Sequence, residues 1–488
     1  MSLDEKIGLY LKSSGTGLIS KVVTKLSAFA TVWLLNRILL KGVYGDYEFA
    51  LALTSMLLIL GSGGLQYVAM YRLSRVDADP ETLAGHKLAG ALLGWSLILS
   101  VVVALGVGIL APVLASASGK PELAYWVSSL AFLIPIRVAT GIYRNWYRAR
   151  QLVAESLLLG RMGPAISRTV FLAGAWFFWQ TPEGVVVAVL CGELLPLLAW
   201  YAQSPLNPFH LKGILSGWDI QYAVKLMFTR SLSKSMKRAD VIMMGALASS
   251  GATAGYVVAS KLSMLLLVGH QLMNLILTPR VGRFLEREKL ETVQREYHQS
   301  RIVGLSFALL GASLISLGGP WLLAIFGDYS EALPVILILS ATYISQVSFG
   351  MCGGYLNIAG YANWTLVTTA MVLLLNVGLN FFLIPILGAS GAALAMLISV
   401  STTNAFTAYL VLQFDGVETY SFWISGVVAL TTGLLIAGAF GLLSHVQAGF
   451  ALLVSIGVFF WSERAFIQST ARASIKVLER IVSKHSLS

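Results

Sequence analysis

Apolar residues run along this chain in long blocks separated by short polar turns. A bilayer's hydrocarbon core is about 30 Å thick, and about 20 residues of helix cross it. Fourteen blocks of that length can be read, at about 17–40, 46–71, 86–111, 122–143, 155–178, 184–203, 220–247, 253–278, 299–326, 332–357, 363–385, 390–413, 421–443 and 448–466. The pattern predicts an all-α integral membrane protein of about 14 transmembrane helices. No connection is long enough for a folded external domain.

Loop charge orients the map. Twenty Lys and Arg fall in the loops on the side of the N-terminus, and only Lys41 and Lys120 in the loops opposite. Cytoplasmic loops carry the positive excess, so both termini are expected in the cytoplasm. Composition agrees: 57% of residues are hydrophobic and 12% charged, half the charged fraction of a soluble domain (about 25%). The net charge of +11 is not gathered in a soluble basic domain, so a nucleic-acid partner is not expected. Cys191 and Cys352 each lie in an apolar block, without metal-ligand spacing. The sequence carries no nucleotide-binding loop, no metal-spaced histidines and no Ser/His/Asp set. Neither a cofactor nor an enzymatic activity is expected.

The chain repeats itself. A shift of 208 residues carries SMLLILG at Ser55–Gly61 onto SMLLLVG at Ser263–Gly269, Arg72 and Arg75 onto Arg280 and Arg283, and Pro112 onto Pro320. This offset equals six spans, which preserves orientation. It predicts a six-helix lobe at 1–212 and a parallel second lobe at 213–415, around a central cleft. Two further helices at 416–468 and a tail at 469–488 would follow. Paired repeats around a cleft are a transporter architecture, with rocking between access states.

The segment KLMFTRSLSKSMKRADVIMMGAL at Lys225–Leu247 is lipid-compatible at its end yet carries five cations. Twelve Lys and Arg lie within or at the ends of spans, against four acids: Glu193 and Asp240, with Glu48 and Glu155 nearer the ends. Each charge at the bilayer centre costs at least about 2.5–3.5 kcal/mol. Such a surplus must face water or bind an anion. Helical phase gathers it into stripes. Arg137, Arg144 and Arg148 share a face, as do Arg161 and Arg168, and as do Lys21, Lys25 and Asn36. Arg230, Lys234 and Lys237 fall in one sector, and Ser263, Gln271 and Asn274 in another flanked by Lys261 and His270. These cations are the candidate ligands of an anionic cargo, and the polar residues are candidate cavity lining. For Lys21, Arg144, Arg148 and Arg161 the alternative is snorkelling to headgroups. Asp240, Glu193 and His270 are candidates for ion coupling. The alternative for Asp240 is a pair with a neighbouring cation, and for His270 the place of a satisfied interior histidine. The tail spaces Arg472, Lys476, Arg480 and Lys484 by four residues opposite Ile475, Leu478, Ile481 and Val482, the pattern of a basic helix on an anionic leaflet.

Three stretches resemble the polysaccharide-transporter branch of the multidrug/oligosaccharidyl-lipid/polysaccharide exporter (MOP) superfamily, the Wzx-type flippases. They are GVYGDYEFALALTSMLLILGSGGLQ at Gly42–Gln66, RADVIMMGALASSGATAGYVVASKLSMLLL at Arg238–Leu267 and LNFFLIPILGASGAALAMLIS at Leu379–Ser399. The resemblance implies a flippase of the bacterial cytoplasmic membrane. Its cargo would be a polyprenyl-diphosphate oligosaccharide for O-antigen or exopolysaccharide synthesis, driven by a proton or sodium gradient. Contact with glycan polymerase machinery and a monomeric state are further expectations. The alternatives are a lipid II flippase of peptidoglycan synthesis and a multidrug or organic-cation antiporter. The antiporter needs acids in its cleft, and here the charge balance runs the other way.

Overall fold

The computed structural model describes residues 3–73, 82–204, 206–208, 215–236, 238–287, 290–418 and 422–464, and every regular element among them is a helix. In chain order they are α1 (Leu3–Ile38), α2 (Lys41–Ser62), α3 (Leu65–Leu73), α4 (Leu83–Ser118), α5 (Leu123–Ala131), α6 (Leu133–Ala149), α7 (Val153–Leu157), a π-helical turn (Leu158–Met162), α8 (Gly163–Phe178), α9 (Pro182–Ala202), α10 (Gly217–Met236), α11 (Ala239–Leu247), α12 (Ser250–Ser263), a 3₁₀ turn (Met264–Leu267), α13 (Val268–Leu285), α14 (Leu290–Phe326), α15 (Leu333–Ser348), α16 (Cys352–Ile358), α17 (Ala362–Asp415), α18 (Phe422–Ala439) and α19 (His445–Ser462). Among the described residues eight helical segments are long and apolar enough to cross a membrane, with two shorter apolar helices at Ile424–Ala439 and His445–Trp461.

Each apolar block of the sequence holds helix, but several are broken inside. The block at 46–71 divides at the left-handed Gly63 and Gly64. The block at 220–247 divides into α10 and α11. The blocks at 363–385 and 390–413 run together in α17, whose 54 residues bend at Gly388 (φ +57°). A straight helix of that length would reach about 80 Å, more than twice the hydrocarbon thickness. Glycine is the residue that tolerates such a backbone. Helix starts use side-chain caps where the sequence offers them. Thr82 accepts from the Gly85 N–H, Thr181 from Gly184, and Ser444 forms a reciprocal capping box with Gln447. The basic tail at 469–488 lies outside the described residues.

The helices form two compact units. One comprises Met1–Val258, Leu323–Tyr329 and Leu373–Ala392. In it α8 packs along α9 and α1, and α6 along α3 and α4. Its core is aromatic: Tyr143, Trp146, Tyr147 and Trp200 are buried together with Leu88 and Leu92. The other comprises Ala259–Leu322, Ser330–Val372 and Ala393–Ser488. There α15 packs against α18, and Tyr297, Met351, Cys352 and Tyr355 centre a second cluster. Cys352 is buried and both cysteines are free.

Candidate functional site

Seven of the predicted cations, Lys21, Lys25, Arg137, Arg144, Arg148, Arg161 and Arg168, lie with Glu193 within the first unit, on α1, α6, α8 and α9 and the π-helical turn. The deepest part is a triad. Arg137 Nη2 on α6 donates to Glu193 Oε1 on α9 at 2.8 Å, and Arg168 Nη1 on α8 donates to the same oxygen at 3.2 Å. Local packing explains the approach. A Cβ on Gly192 would lie 2.4 Å from the Arg168 Cα, so glycine lets α9 press against the α8 backbone and sets the next residue, Glu193, beside Arg168. Glu193 is buried, while the two arginine side chains stay about one-fifth exposed. Two guanidiniums and one carboxylate leave a net positive charge. The Nε of Arg168 is buried without a hydrogen bond among the described residues. Such a cluster keeps its full hydrogen-bonding capacity only when a further acceptor arrives.

Arg144 stands seven residues after Arg137 on α6, and Arg161 seven before Arg168. Each separation is about 10 Å along a helix. Arg161, in the π-helical turn, lies within electrostatic reach of Lys21, Arg144 and Arg148, and Lys25 lies within reach of Lys21. Lys21 and Lys25 are half-buried on α1. Among the described residues no carboxylate pairs with any of these five, and the Arg144 Nε is buried without a partner. Like charges gathered without compensation raise one another's free energy. Guanidiniums are suited to two-pronged capture of phosphate oxygens, and ammoniums act as point charges. A single-turn π-helix is a frequent mark of functional positions.

The other predicted residues lie elsewhere. Asp240, at the start of α11, is buried and accepts from Asn380 Nδ2 at 3.0 Å. Asn380 also donates to Asn376 Oδ1 at 2.9 Å, and its own Oδ1 is buried without a partner among the described residues. Asn36 donates to the Val32 carbonyl and accepts from the Tyr329 hydroxyl. His270 Nε2 lies 2.9 Å from Asn274 Nδ2, while its Nδ1 and the Asn274 Oδ1 are buried without partners among the described residues. Ser263 is fully buried and donates to the Ile336 carbonyl at 3.2 Å, so its hydroxyl is engaged in helix packing. Gln271 and Lys261 are half-buried, on α13 and α12. Arg230 and Lys234 lie on α10, where the side chains from residue 228 onward are outside the description, as is Lys237 altogether.

Sequence reading missed three features. Tyr47 on α2 lies within electrostatic reach of Arg137, Arg168 and Glu193, stacked edge-on against Trp126, and beside it Tyr44 donates to Glu48 at 2.9 Å. Both tyrosines lie in the GVYGDYEF stretch, which the sequence marked only by its family resemblance. Asn376 and Asn380 sit four apart in an apolar run, a spacing that marks one helix face. Finally, Lys120 Nζ donates to the Gly245 and Ala248 carbonyls at 2.7 and 2.9 Å, and Lys41 Nζ to the Asp328 carbonyl at 3.0 Å. The two cations of the sparse loops thus tie the turns of one repeat to the other.

Residues 10–285 match the family described as "Polysaccharide biosynthesis protein", and residues 226–382 match that described as MatE. The succinoglycan biosynthesis transport protein ExoT of Rhizobium meliloti (strain 1021) is 28% identical over 239 residues, which are 48% of this chain and 42% of ExoT. The match thus spans less than half the length of that relative. Among solved structures, the lipid II flippase MurJ in an inward closed conformation superposes with a TM-score of 0.69 at 10% identity, covering 94% of this chain and all of that one. An inward-facing multidrug resistance MATE family transporter of the MOP superfamily gives 0.67 at 14% identity, covering 80% and 94%. A MOP superfamily transporter from Pyrococcus furiosus, described by the reverse polarity of its binding pocket, gives 0.56 at 16%, covering 85% and 96%. At these identities the structures share the fold. With more than half of its length matched by the family pattern, the chain is a multi-pass integral membrane protein that belongs to the polysaccharide biosynthesis protein family.

Proposed function

We propose that this transporter flips a polyprenyl-diphosphate-linked oligosaccharide from the inner to the outer leaflet of the bacterial cytoplasmic membrane, for O-antigen or exopolysaccharide synthesis. The observation that carries the reading is the group Lys21, Lys25, Arg144, Arg148 and Arg161, with no carboxylate partner among the described residues. A diphosphate is the part of such a cargo that hydrocarbon rejects most strongly. Arginines and lysines in a wet cleft replace the water it loses. The reading takes 14 spans in two lobes, 1–212 and 213–415, with 416–468 as two added helices and both termini cytoplasmic. The ExoT relative, a succinoglycan transport protein by name, favours exopolysaccharide. An organic-cation cargo is disfavoured, because the sites of surplus charge have the wrong sign for it. For lipid II the charge argument is equally good, and cargo identity decides.

Coupling to a proton or sodium gradient is assigned first to Asp240, whose carboxylate is buried on Asn380, Asn376 and Tyr256 rather than on a cation among the described residues; Glu193 and His270 are further candidates. Proteoliposomes holding the purified protein are expected to move a fluorescent polyprenyl-diphosphate sugar between leaflets, faster with an imposed gradient. Asp240→Asn is expected to keep basal flipping and lose the response to the gradient. Equal flipping with and without protein would overturn the function. Flipping of lipid II in preference to an oligosaccharide-linked carrier would reassign the cargo.

A further inference from the structure

We propose that Glu193 is a built-in stand-in for the cargo's phosphate: it occupies Arg137 and Arg168 while the site is empty and gives them up when a diphosphate arrives. The inference rests on the anionic-cargo reading above. Three observations carry it. First, both guanidiniums are bound to one oxygen of one carboxylate, Oε1, at 2.8 and 3.2 Å. A phosphate oxygen accepts from paired arginines in the same way. Secondly, the arginines are not sealed. Their side chains are 19% and 21% exposed against 7% for Glu193, so the acid approaches from the packed side and leaves the open side to a second anion. Thirdly, the triad stands about two helical turns from the uncompensated cations, since Arg137 and Arg144 share α6 and Arg161 and Arg168 bracket the start of α8. Along that line one group of cations is bare and the next is capped by a carboxylate.

This order has a physical consequence. Two bare arginines deep in the site would bind diphosphate tightly and release it slowly. An internal carboxylate competes for the same N–H groups. It lowers the affinity of the deep position for cargo and restores the empty state after release, at the cost of weaker capture. Glu193 makes no contact with cargo in this scheme. It acts through the two arginines and is a positioning residue.

The test is binding of farnesyl diphosphate and of inorganic pyrophosphate to full-length protein in nanodiscs, by calorimetry, beside flipping in proteoliposomes. Glu193→Gln is expected to bind farnesyl diphosphate about tenfold more tightly than wild type, the scale of one charge-assisted hydrogen bond, while flipping slows. Adding Arg168→Ala to Glu193→Gln is expected to erase the gain. Glu193→Asp, which keeps the charge on a shorter stem, should fall between wild type and Glu193→Gln and guards against misfolding of the neutral variant. A merely structural carboxylate predicts the opposite, weaker binding in both Glu193 variants. Weakened or unchanged affinity in Glu193→Gln, with Arg144→Ala still losing affinity, overturns the stand-in and leaves the cationic site intact. Unchanged affinity in Arg144→Ala and Arg161→Ala overturns the cationic site itself.

Discussion

The two repeats place a polar bridge at the same positions and fill it differently. Shifted by 208 residues, Arg137 falls on Ser345, Glu193 on Ser401 and Arg168 on Asn376. In the first repeat Arg137 bonds Glu193 at 2.8 Å; in the second, Ser345 and Ser401 share a hydrogen bond of 2.7 Å. The outer cations follow suit: Arg144, Arg148 and Arg161 fall on Cys352, Leu356 and Thr369. One helical scaffold therefore closes its packing with two hydroxyls or with an ion pair. Buried ion pairs confer little net stability over neutral replacements. Folding does not explain why the first repeat keeps charge where the second manages without. The proposed anion site accounts for it, and the cations described there, from Lys21 to Arg168, all lie in the first repeat.

Charge reversal breaks the asymmetry most severely. Arg168→Glu puts a second carboxylate against Glu193 and leaves Arg137 to serve both. Breaking a buried pair costs about 3–5 kcal/mol, and export of surface glycan in a strain lacking its own copy is expected to fall to background. Quantifying lipopolysaccharide or exopolysaccharide on the cells, together with the amount of protein in the membrane, reads both effects. Normal export from cells with normal protein levels would detach these arginines from cargo.

A milder set of changes sharpens the same contrast. Arg137→Ser, Arg168→Asn and Glu193→Ser together rewrite the triad as its counterpart in the second repeat. Thermal unfolding in detergent is expected to be unchanged or shifted upward, since replacing buried ions by neutral groups is often neutral or stabilising by about 1–4 kcal/mol. Flipping is expected to drop at least about tenfold, the loss of one or more charge-assisted contacts to the diphosphate. A triple variant that loses stability in proportion to activity would show that the charges serve the fold.

Much of this was legible in the sequence, for identifiable reasons. Apolar runs of span length mark helices because lipid leaves the backbone no other partner. Helical phase put Arg137, Arg144 and Arg148 on one face, and all three lie on the single helix α6. Breaks within the runs were not legible. The turn at Gly63–Gly64 and the π-helical turn at Leu158–Met162 interrupt no apolar pattern, whereas the bend at Gly388 falls in the gap between the blocks at 363–385 and 390–413. Partners were not legible either. Glu193 lies 25 residues from Arg168 and 56 from Arg137, and only the close approach of α9 to α8 at Gly192 brings them together. Asp240 was read with a cation as one possible partner, and its described hydrogen bonds come from Asn380, Asn376 and Tyr256, all uncharged.

The loop ties offer a smaller test of the repeat. Lys120 holds the two carbonyls at the end of α11, and its counterpart position, Asp328, offers its own carbonyl to Lys41. Lys120→Met removes two bonds from a cation to helix-end carbonyls. It is expected to lower stability by about 1–2 kcal/mol, the upper range for a cation at a helix C-terminus. Lys41→Met, losing one such bond and a cation–π contact of 5.1 Å with Tyr329, is expected to cost less. If the ties hold one end of the transport path shut, both variants raise the labelling of cysteines placed beside Asn36 by a membrane-impermeant reagent from outside the cell. Unchanged labelling in the pair of variants would make the ties mere loop anchors.

The smallest expected effect supplies the control, because it concerns a charge of the second repeat that has no place in the anion site. Asp415, at the end of α17, accepts from Tyr355 at 2.8 Å and from Tyr361 at 3.0 Å. Its counterpart in the first repeat is Asn207, and that of Tyr361 is Val153, so this clamp too belongs to one half only. Tyr361 lies in the turn before α17, and its hydrogen bond to Asp415, with burial second, raises the phenol above its ordinary value. A group whose folded value is raised contributes stability that is complete below its unfolded value, about 10 for tyrosine, and is lost as pH rises through the folded value. Tyr361→Phe is expected to cost about 0.5–1.5 kcal/mol at neutral pH, the net worth of one hydrogen bond, and to flatten the loss of thermal stability that wild type shows above about pH 10. Flipping at neutral pH should match wild type, because this carboxylate only fastens a helix end. A Tyr361→Phe variant that lost export while keeping its stability would extend the functional charge into the second repeat, and the asymmetry between the halves would no longer separate transport from folding.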